Sequence, residues 1–574
     1  MRTKFILRTR LLASAFVAFA LLIVVRLYFI QVVDSASYQQ DAISQYVEAN
    51  PDSPDRGNIY FTSKDGELVA AAVMQTGWRI AIQPENLKNA TDTYAKLNAI
   101  VPIDATHFFA SAAKPNDPYE EIAYNVNDDQ AAQIRALGLP GVLLVADQWR
   151  FYPGGNLAAQ TVGFLGYVGT STMKTGIYGI EKSWNSTLSL PDNGLYVNPF
   201  AQIFTNLKSV LSSDPSAQTG SVITSIEPSV QQELVATLQT VMTKYTPDFD
   251  GGIIMDPHTG AIIAMAQLPD FNLNNAGSVT DPSIYSNRLA TGRYEMGSIM
   301  KPLTMAAGID SGAITPDTTY DDTGCATYSK AKVCNWDFKP RGVISMGQIL
   351  DQSLNVGAAW VATKTGYPTF TRYMDSYFAT TTGIDLPNET PPDLHSLGNG
   401  TGPAVQYATA AFGQGVAVTP LEMIRALAAL GNGGVMPDPH VVTAVQYENG
   451  ITRQVPVGAG VRVFSTTTAE EVTHMLETVY DDYELHGAIK MQHYTAAAKT
   501  GTAQIPDPAG GYYPMGIFIH SFFGYLPASD PKFIIFLYAY RPVGQEYSAY
   551  TWDEPYYQLE QFLINYYNIP PDRN

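Results

Sequence analysis

The sequence predicts an α+β protein in two modules behind one N-terminal membrane span, and three observations carry that reading. Leu11 to Val25 is almost wholly apolar, and Leu27 to Val33 continues the run after Arg26. That is long enough for the roughly 20 residues a bilayer requires. Short apolar runs between Ile59 and Ile82, and again over residues 196–227, then recur at strand spacing. Beyond Pro228 a helical repeat, a hairpin pattern, α-rich stretches and three closing strands follow one another.

The N-terminus carries Arg2, Lys4, Arg8 and Arg10 and no acid before the apolar run. This predicts a cytoplasmic tail at 1–10, an anchor at 11–33 and an extracytoplasmic remainder in a single-pass cytoplasmic-membrane protein. Arg26 can snorkel to the far interface, where Tyr28 suits. A cleaved signal peptide with Ser35-Ala36-Ser37 at its end is the alternative, but the apolar run is long for one. Only 15% of the 574 residues are charged, 11% are aromatic, and the net charge is −19. Nucleic acid is excluded as the main partner, because phosphate binding needs a basic face.

Tyr38 to Asn50 reads as a helix, ended by Pro51 to Gly57. Strands are expected at 59–61, 68–70, 78–82 and 141–145, helices at 91–112 and 126–137, a turn at Arg150 to Gly155, and a glycine-rich loop at 163–179. Nothing in this N-terminal module, 34–227, offers a convergent acid–base set, so a structural or interaction role is expected. The second module, 228–567 with a tail at 568–574, opens with a helix over Ser229 to Tyr245, where Val230, Leu234, Leu238, Val241 and Met242 recur. Gly252 to Met255 and Ala261 to Met265, joined by Asp256-Pro257-His258-Thr259-Gly260, read as a hairpin. Residues 343–365 and 403–431 read as helices, 493–503, 521–525 and 533–540 as strands, and 556–567 as a closing helix.

The chemistry centres on Glu295-Met296-Gly297-Ser298-Ile299-Met300-Lys301-Pro302. Ser298 and Lys301 are three apart and share a face if helical. Gly297 allows a tight entry turn, and Pro302 suits a first helical turn. A hydroxyl at a helix N-terminus with an amine in reach is a candidate nucleophile. Ser-x-x-Lys alone is weak, because it also occurs at Ser111, Ser171, Ser329 and Ser529. Lys-Thr-Gly also begins at Lys174 and Lys364, and Ser-x-Asn at Ser183. Around Ser171 all three patterns crowd together, but in a glycine-rich loop with no helix behind it. The set Ser298/Lys301, Ser353/Asn355 and Lys499/Thr500/Gly501 instead falls on a helix start, a helical-region loop and a strand. Cys325 and Cys334 stand in a polar loop and are expected to pair outside the cytoplasm. No metal site is expected from two cysteines without a nearby histidine.

With Arg56-Gly57, Arg150-x-Tyr152-Pro153, Gly179-x-Glu181, Asp256-Pro257-x-Thr259-Gly260, Gln352-Ser353-x-Asn355, Gly413-Gln414-Gly415, Thr419-Pro420 and Lys499-Thr500-Gly501-Thr502-Ala503 beside it, the chain resembles a class B penicillin-binding protein. The resemblance spans nearly the whole chain. Met296 in place of the usual proline and the cysteine loop depart from the pattern, and neither is expected to touch the chemistry. The resemblance implies an antiparallel sheet flanked by helices plus an α-rich subdomain, on an elongated pedestal. It implies a D,D-transpeptidase that crosslinks peptidoglycan stem peptides through a serine acyl-enzyme and is acylated by β-lactams, without cofactor. It further implies Ser298 as nucleophile, Lys301 as base if neutral, Ser353 as proton relay, and Asn355 on the substrate amide. Lys499 and Thr500 would bind the terminal carboxylate, and Gly501 would leave room for an added peptide strand. The N–H groups of Ser298 and Thr502 would form the oxyanion hole. A polytopic glycan polymerase and other division or elongation proteins are implied partners, with division the favoured role. A β-lactam hydrolase or sensor, and a catalytically silent scaffold, are the competing readings.

Overall fold

A computed structural model describes residues 56–114, 117–171, 173–189 and 219–573, together with position 19. The expected tail and anchor at 1–33, the helix at 38–50 and most of the 196–227 run lie outside the described residues. Among the described residues no helix is long and apolar enough to cross a membrane. The described residues divide into two compact units, Gln75–Trp149 on the one hand, and 56–74 with those from Arg150 onward on the other. Residues 56–74 and 150–189, read from sequence as part of the N-terminal module, therefore cluster with the C-terminal one.

In the first unit, Trp78 to Ile82 pairs antiparallel with Glu120–Val126. Helices Ala90–Asn98, Ala105–Ala112 and Asp128–Ala136 pack on it through Leu97, Phe108, Ala131 and Ile134. The single helix expected over 91–112 is thus two. Pro102 disfavours helix at the residue before it, and Asp104 starts the second helix by accepting the His107 N–H at 2.6 Å. The strand expected at 141–145 runs from Val142 to Phe151, so Arg150 belongs to a strand rather than a turn.

The second unit holds a buried ion cluster built from the residues singled out near its N-terminal end. Glu181 is fully buried and accepts from Arg56 Nε at 2.6 Å and from Arg150 Nε at 2.7 Å. Arg56 also donates to the Glu181 carbonyl and to Asn185 Oδ1. Each charge has a partner, which is what makes its burial tolerable; removing one would strand the other at a cost of about 3–5 kcal/mol.

The core of this unit is a five-stranded antiparallel sheet in the order Ala497–Gln504, Phe518–Leu526, Phe533–Tyr540, Phe249–Met255, Ile262–Leu268. The strands Phe518–Leu526 and Phe533–Tyr540 are mainly apolar on both faces and almost wholly buried, as strands of a sheet covered on both sides should be. One face packs against Pro228–Tyr245 and Ala549–Tyr567, through Leu234, Leu238, Val241, Trp552, Leu559 and Leu563. The other face meets the α-rich part, where Leu303, Met305, Ile349, Ala359 and Leu427 are buried. Ala497–Gln504 lies at the sheet's edge.

Two helices expected to be continuous are interrupted, and each break serves the site. Over 343–365 the chain forms a strand, Gly342–Ser345, then Met346–Asp351 and Asn355–Thr365. Ser345 and Gln348 cap the first helix reciprocally. Over 403–431, helices Ala404–Ala410 and Pro420–Gly431 flank the Gly413-Gln414-Gly415 turn, and Thr419 with Glu422 caps the second. The cysteine loop is a hairpin, Cys325–Tyr328 with Ala331–Cys334; Cys325 sits opposite Cys334 and the two are disulfide-bonded.

Candidate active site

Ser298 lies on a 3₁₀ turn, Gly297–Met300, that runs directly into the helix Lys301–Asp310. Residues three apart eclipse in a 3₁₀ turn, so Ser298 and Lys301 stand on one face, and the Lys301 N–H donates to the Ser298 carbonyl. Gly297 makes the entry possible: its φ is +65°, and a Cβ there would come within 2.8 Å of the Thr502 carbonyl oxygen. Its N–H donates to the Gly413 carbonyl at 3.1 Å, which locks the turn to the interruption between the two α-rich helices.

Lys301 is 1% exposed. Its Nζ lies 2.5 Å from the Ser353 carbonyl, 2.9 Å from Asn355 Oδ1 and 3.1 Å from Ser353 Oγ. A neutral amine has two N–H groups and one lone pair. Lys301 Nζ donates to the Ser353 carbonyl, to Asn355 Oδ1 and to Ser353 Oγ; any two of these contacts use both N–H groups of the neutral amine, and its lone pair stays open to a proton. Burial, and then the charge of Lys499, hold the Lys301 ammonium well below the ordinary lysine range, which favours that neutral form. Ser353 reaches this position because its φ is +52°, a left-handed conformation that costs a non-glycine residue about 1–2 kcal/mol.

Ser298, Ser353, Asn355, Thr500 and Thr502 line a single cavity of about 500 Å³. The edge strand supplies Thr500 and Thr502 on the cavity face. Lys499 and Gly501 alternate to the opposite, buried face. The Thr500 N–H donates to Glu484 Oε1 rather than to the neighbouring strand. By the two-residue period of a strand, the Thr502 N–H faces the same open edge, the side from which the Gly297 turn approaches. Ser298 and Thr502 thus both line the cavity where the Gly297 turn meets the edge strand.

Three expectations change. Gly501 does not clear space for a ligand: a Cβ there would meet Ser521 Oγ at 2.4 Å and the Met296 carbonyl oxygen at 2.8 Å, so the protein's own packing requires the glycine. Asn355 has both ends of its amide engaged, Oδ1 with Lys301 and Nδ2 with the Cys334 carbonyl at 3.1 Å. The cysteine hairpin, expected not to touch the chemistry, forms a cavity wall through Cys334, Asn335, Trp336 and Phe338. Trp336 packs edge-on against Tyr547 from the opposite wall, ring centres 5.6 Å apart.

Sequence reasoning missed Glu484. It is buried, and its Oε1 accepts from the Thr500 hydroxyl at 3.0 Å and lies 3.8 Å from Lys499 Nζ. The acidic run Asp481-Asp482-Tyr483-Glu484 shortly before Lys499 was the available signal. Asp351, half-buried nearby, is pushed up to about 7 by burial, with Lys499 opposing and Asp482 adding to the shift.

A serine on a helix-entry turn that opens on a cavity, followed one 3₁₀ turn later by a buried lysine whose charged form is disfavoured, is an arrangement suited to serine acyl transfer. The comparisons make the class specific. Residues 251–549 match the penicillin binding protein transpeptidase domain, and residues 51–196 match the penicillin-binding protein dimerisation domain. The chain belongs to the penicillin-binding protein transpeptidase family. Stage V sporulation protein D of Bacillus subtilis is 28% identical over 91% of this chain and 80% of its own length. Peptidoglycan D,D-transpeptidase FtsI of Escherichia coli K12 is 26% identical over 80% of this chain and 74% of its own. In fold, the chain is similar to penicillin binding protein 2X from Streptococcus thermophilus. The TM-score is 0.72 and the identity 20%, over 90% of this chain and 81% of that one.

Proposed function

We propose that this transpeptidase crosslinks peptidoglycan stem peptides at the outer face of the cytoplasmic membrane during cell division. The carrying observation is that Ser298, Ser353, Thr500 and Thr502 line one cavity, with buried Lys301 hydrogen-bonded to Ser353. The relatives named D,D-transpeptidase supply the substrate class.

Ser298 Oγ attacks the carbonyl carbon of the D-Ala-D-Ala bond, and its proton passes to the Lys301 lone pair. The new oxyanion is held by the N–H groups of Ser298 and Thr502; one such donor is worth about 10²–10³ in rate. The C–N bond breaks, and the leaving amine takes its proton from Lys301 through the Ser353 hydroxyl. The amine of a second stem then attacks the acyl-enzyme, the same relay runs in reverse, and Ser298 regains its proton. A β-lactam follows the first half only, and its opened ring stays attached to Ser298. The apolar run at 11–33 and its basic flank support a single-pass anchor with the cytoplasmic end at the N-terminus. The partners consistent with this placement are a polytopic glycan polymerase and other division proteins.

Covalent labelling of the full chain by fluorescent penicillin tests this. A stable label, lost in Ser298→Ala, is expected. A label that vanishes within seconds would replace the reading with a hydrolase, and no label on folded protein would replace it with a scaffold.

A further inference from the structure

We propose that Glu484 determines how strongly the donor end of the site holds a carboxylate, because its own carboxylate already occupies the groups that would hold one. The inference rests on the reading of the cavity as a D,D-transpeptidase site, in which Lys499 and Thr500 receive the substrate's terminal carboxylate.

Glu484 Oε1 accepts the Thr500 hydroxyl at 3.0 Å and the Thr500 N–H at 3.2 Å, and pairs with Lys499 Nζ at 3.8 Å. Neither side chain of the ion pair is more than 6% exposed. Glu484 thus accepts from both the hydroxyl and the N–H of Thr500 and pairs with the Lys499 ammonium. Thr500 lines the cavity beside Ser298, whereas Glu484 and Lys499 lie behind it. A ligand carboxylate seeking the Thr500 hydroxyl must turn that hydroxyl away from Glu484. It would then share one buried ammonium with an existing carboxylate, and like charges that close cannot both be stabilised by one cation. Asp351 adds another carboxyl near Lys499. Two carboxyl groups, those of Glu484 and Asp351, thus stand near the Lys499 amine. An anionic ligand end is admitted only as Glu484 yields the hydroxyl, while an uncharged one meets no such competition. Glu484 is then the residue that sets the enzyme's preference between charged and uncharged donor ends.

The test compares native full-length chain with Glu484→Gln and Glu484→Asp, using fluorescent penicillin and its methyl ester as probes. Glutamine keeps the length and an oxygen acceptor for Thr500 while removing the charge, and thermal melts verify that each variant is folded. The expected result is a penicillin labelling rate raised about tenfold in Glu484→Gln, equivalent to roughly 1.4 kcal/mol, with the ester's rate changed less than about twofold by the same scale. Glu484→Asp, which keeps the charge, should stay near native. Equal rates for native and Glu484→Gln would overturn the inference and leave the transpeptidase reading standing. A fall with both probes would also overturn it, showing that Glu484 serves to position Lys499. Failure of every folded form to label, with Ser298 intact, would remove the transpeptidase reading and the inference together.

Discussion

Two regions of this chain carry the same three short patterns and use them in opposite ways. Around Ser171, the serine is exposed and its hydroxyl turns back on Met173, donating to the carbonyl and accepting from the N–H. Lys174 lies over the Tyr167 ring, 5.5 Å from its centre. Asn185 accepts from Arg56 and from the Gly176 N–H, inside the buried ion cluster. Every member of that set closes a local turn or braces the fold. Around Ser298 the serine opens on a cavity, the lysine is buried, and the partners arrive from segments far apart in sequence. Three further copies are also structural: Ser111 donates to Glu120, Ser529 to Asp572, and Lys364-Thr365-Gly366 ends a helix at a glycine with φ +83°. A motif of three residues specifies a local conformation; only tertiary structure makes it a site.

The contrast can be broken first at the serines. Ser298→Ala should abolish stable penicillin labelling and Ser171→Ala should leave it at the native rate; any loss in the second would erase the distinction.

A smaller effect separates the glycines. Gly176→Ala would drive a Cβ to 1.8 Å from the Glu181 carbonyl oxygen, against the buried ion cluster. It should lower stability by roughly 2–4 kcal/mol in denaturant titrations. Protein that still folds should label normally. Gly297→Ala, at φ +65°, should instead cut labelling well beyond its loss of stability.

The lysines differ in their pH signature. Lys301 has its folded pKa lowered from 10.5, so the unfolded chain binds the proton more readily over the interval between the two values. Stability should therefore rise with pH across that interval, and Lys301→Met should remove this rise along with the labelling. Below the lowered value the amine is charged in both states, so its contribution to the slope ends and labelling declines. Lys174→Met should alter neither profile.

The smallest effect concerns Ser353. Ser353→Gly relieves the left-handed strain but deletes a hydrogen bond to Lys301, so stability should change by less than about 1 kcal/mol. Labelling should nevertheless fall by more than tenfold, since the relay to the leaving amine is gone; equal losses in both would mark Ser353 as a purely structural residue.

Much of this was legible in the sequence because it is local. The amphipathic repeat gave the helix Pro228–Tyr245, and the apolar runs gave the sheet strands, since burial on both faces leaves little else that such runs can do. Ser298, Lys301 and the Gly297 entry turn were readable from spacing and glycine chemistry. The interruptions at Ser353 and at Gly413 were not, because a left-handed serine has no propensity signature and is held there by contacts made elsewhere.

By itself, then, the sequence determined which residues could do acyl transfer and on what local scaffolds they would sit, because turn chemistry and periodicity act over a few residues. Tertiary structure decided the rest. It selected one Ser-x-x-Lys among five, disfavoured the charge of Lys301 by burying it beside Lys499, assigned Gly501 to packing, and made a cavity wall of the disulfide hairpin. It also set Glu484 against Thr500. Burial, charge proximity and close packing are properties of residues distant in the chain, and they exist only once the chain has folded.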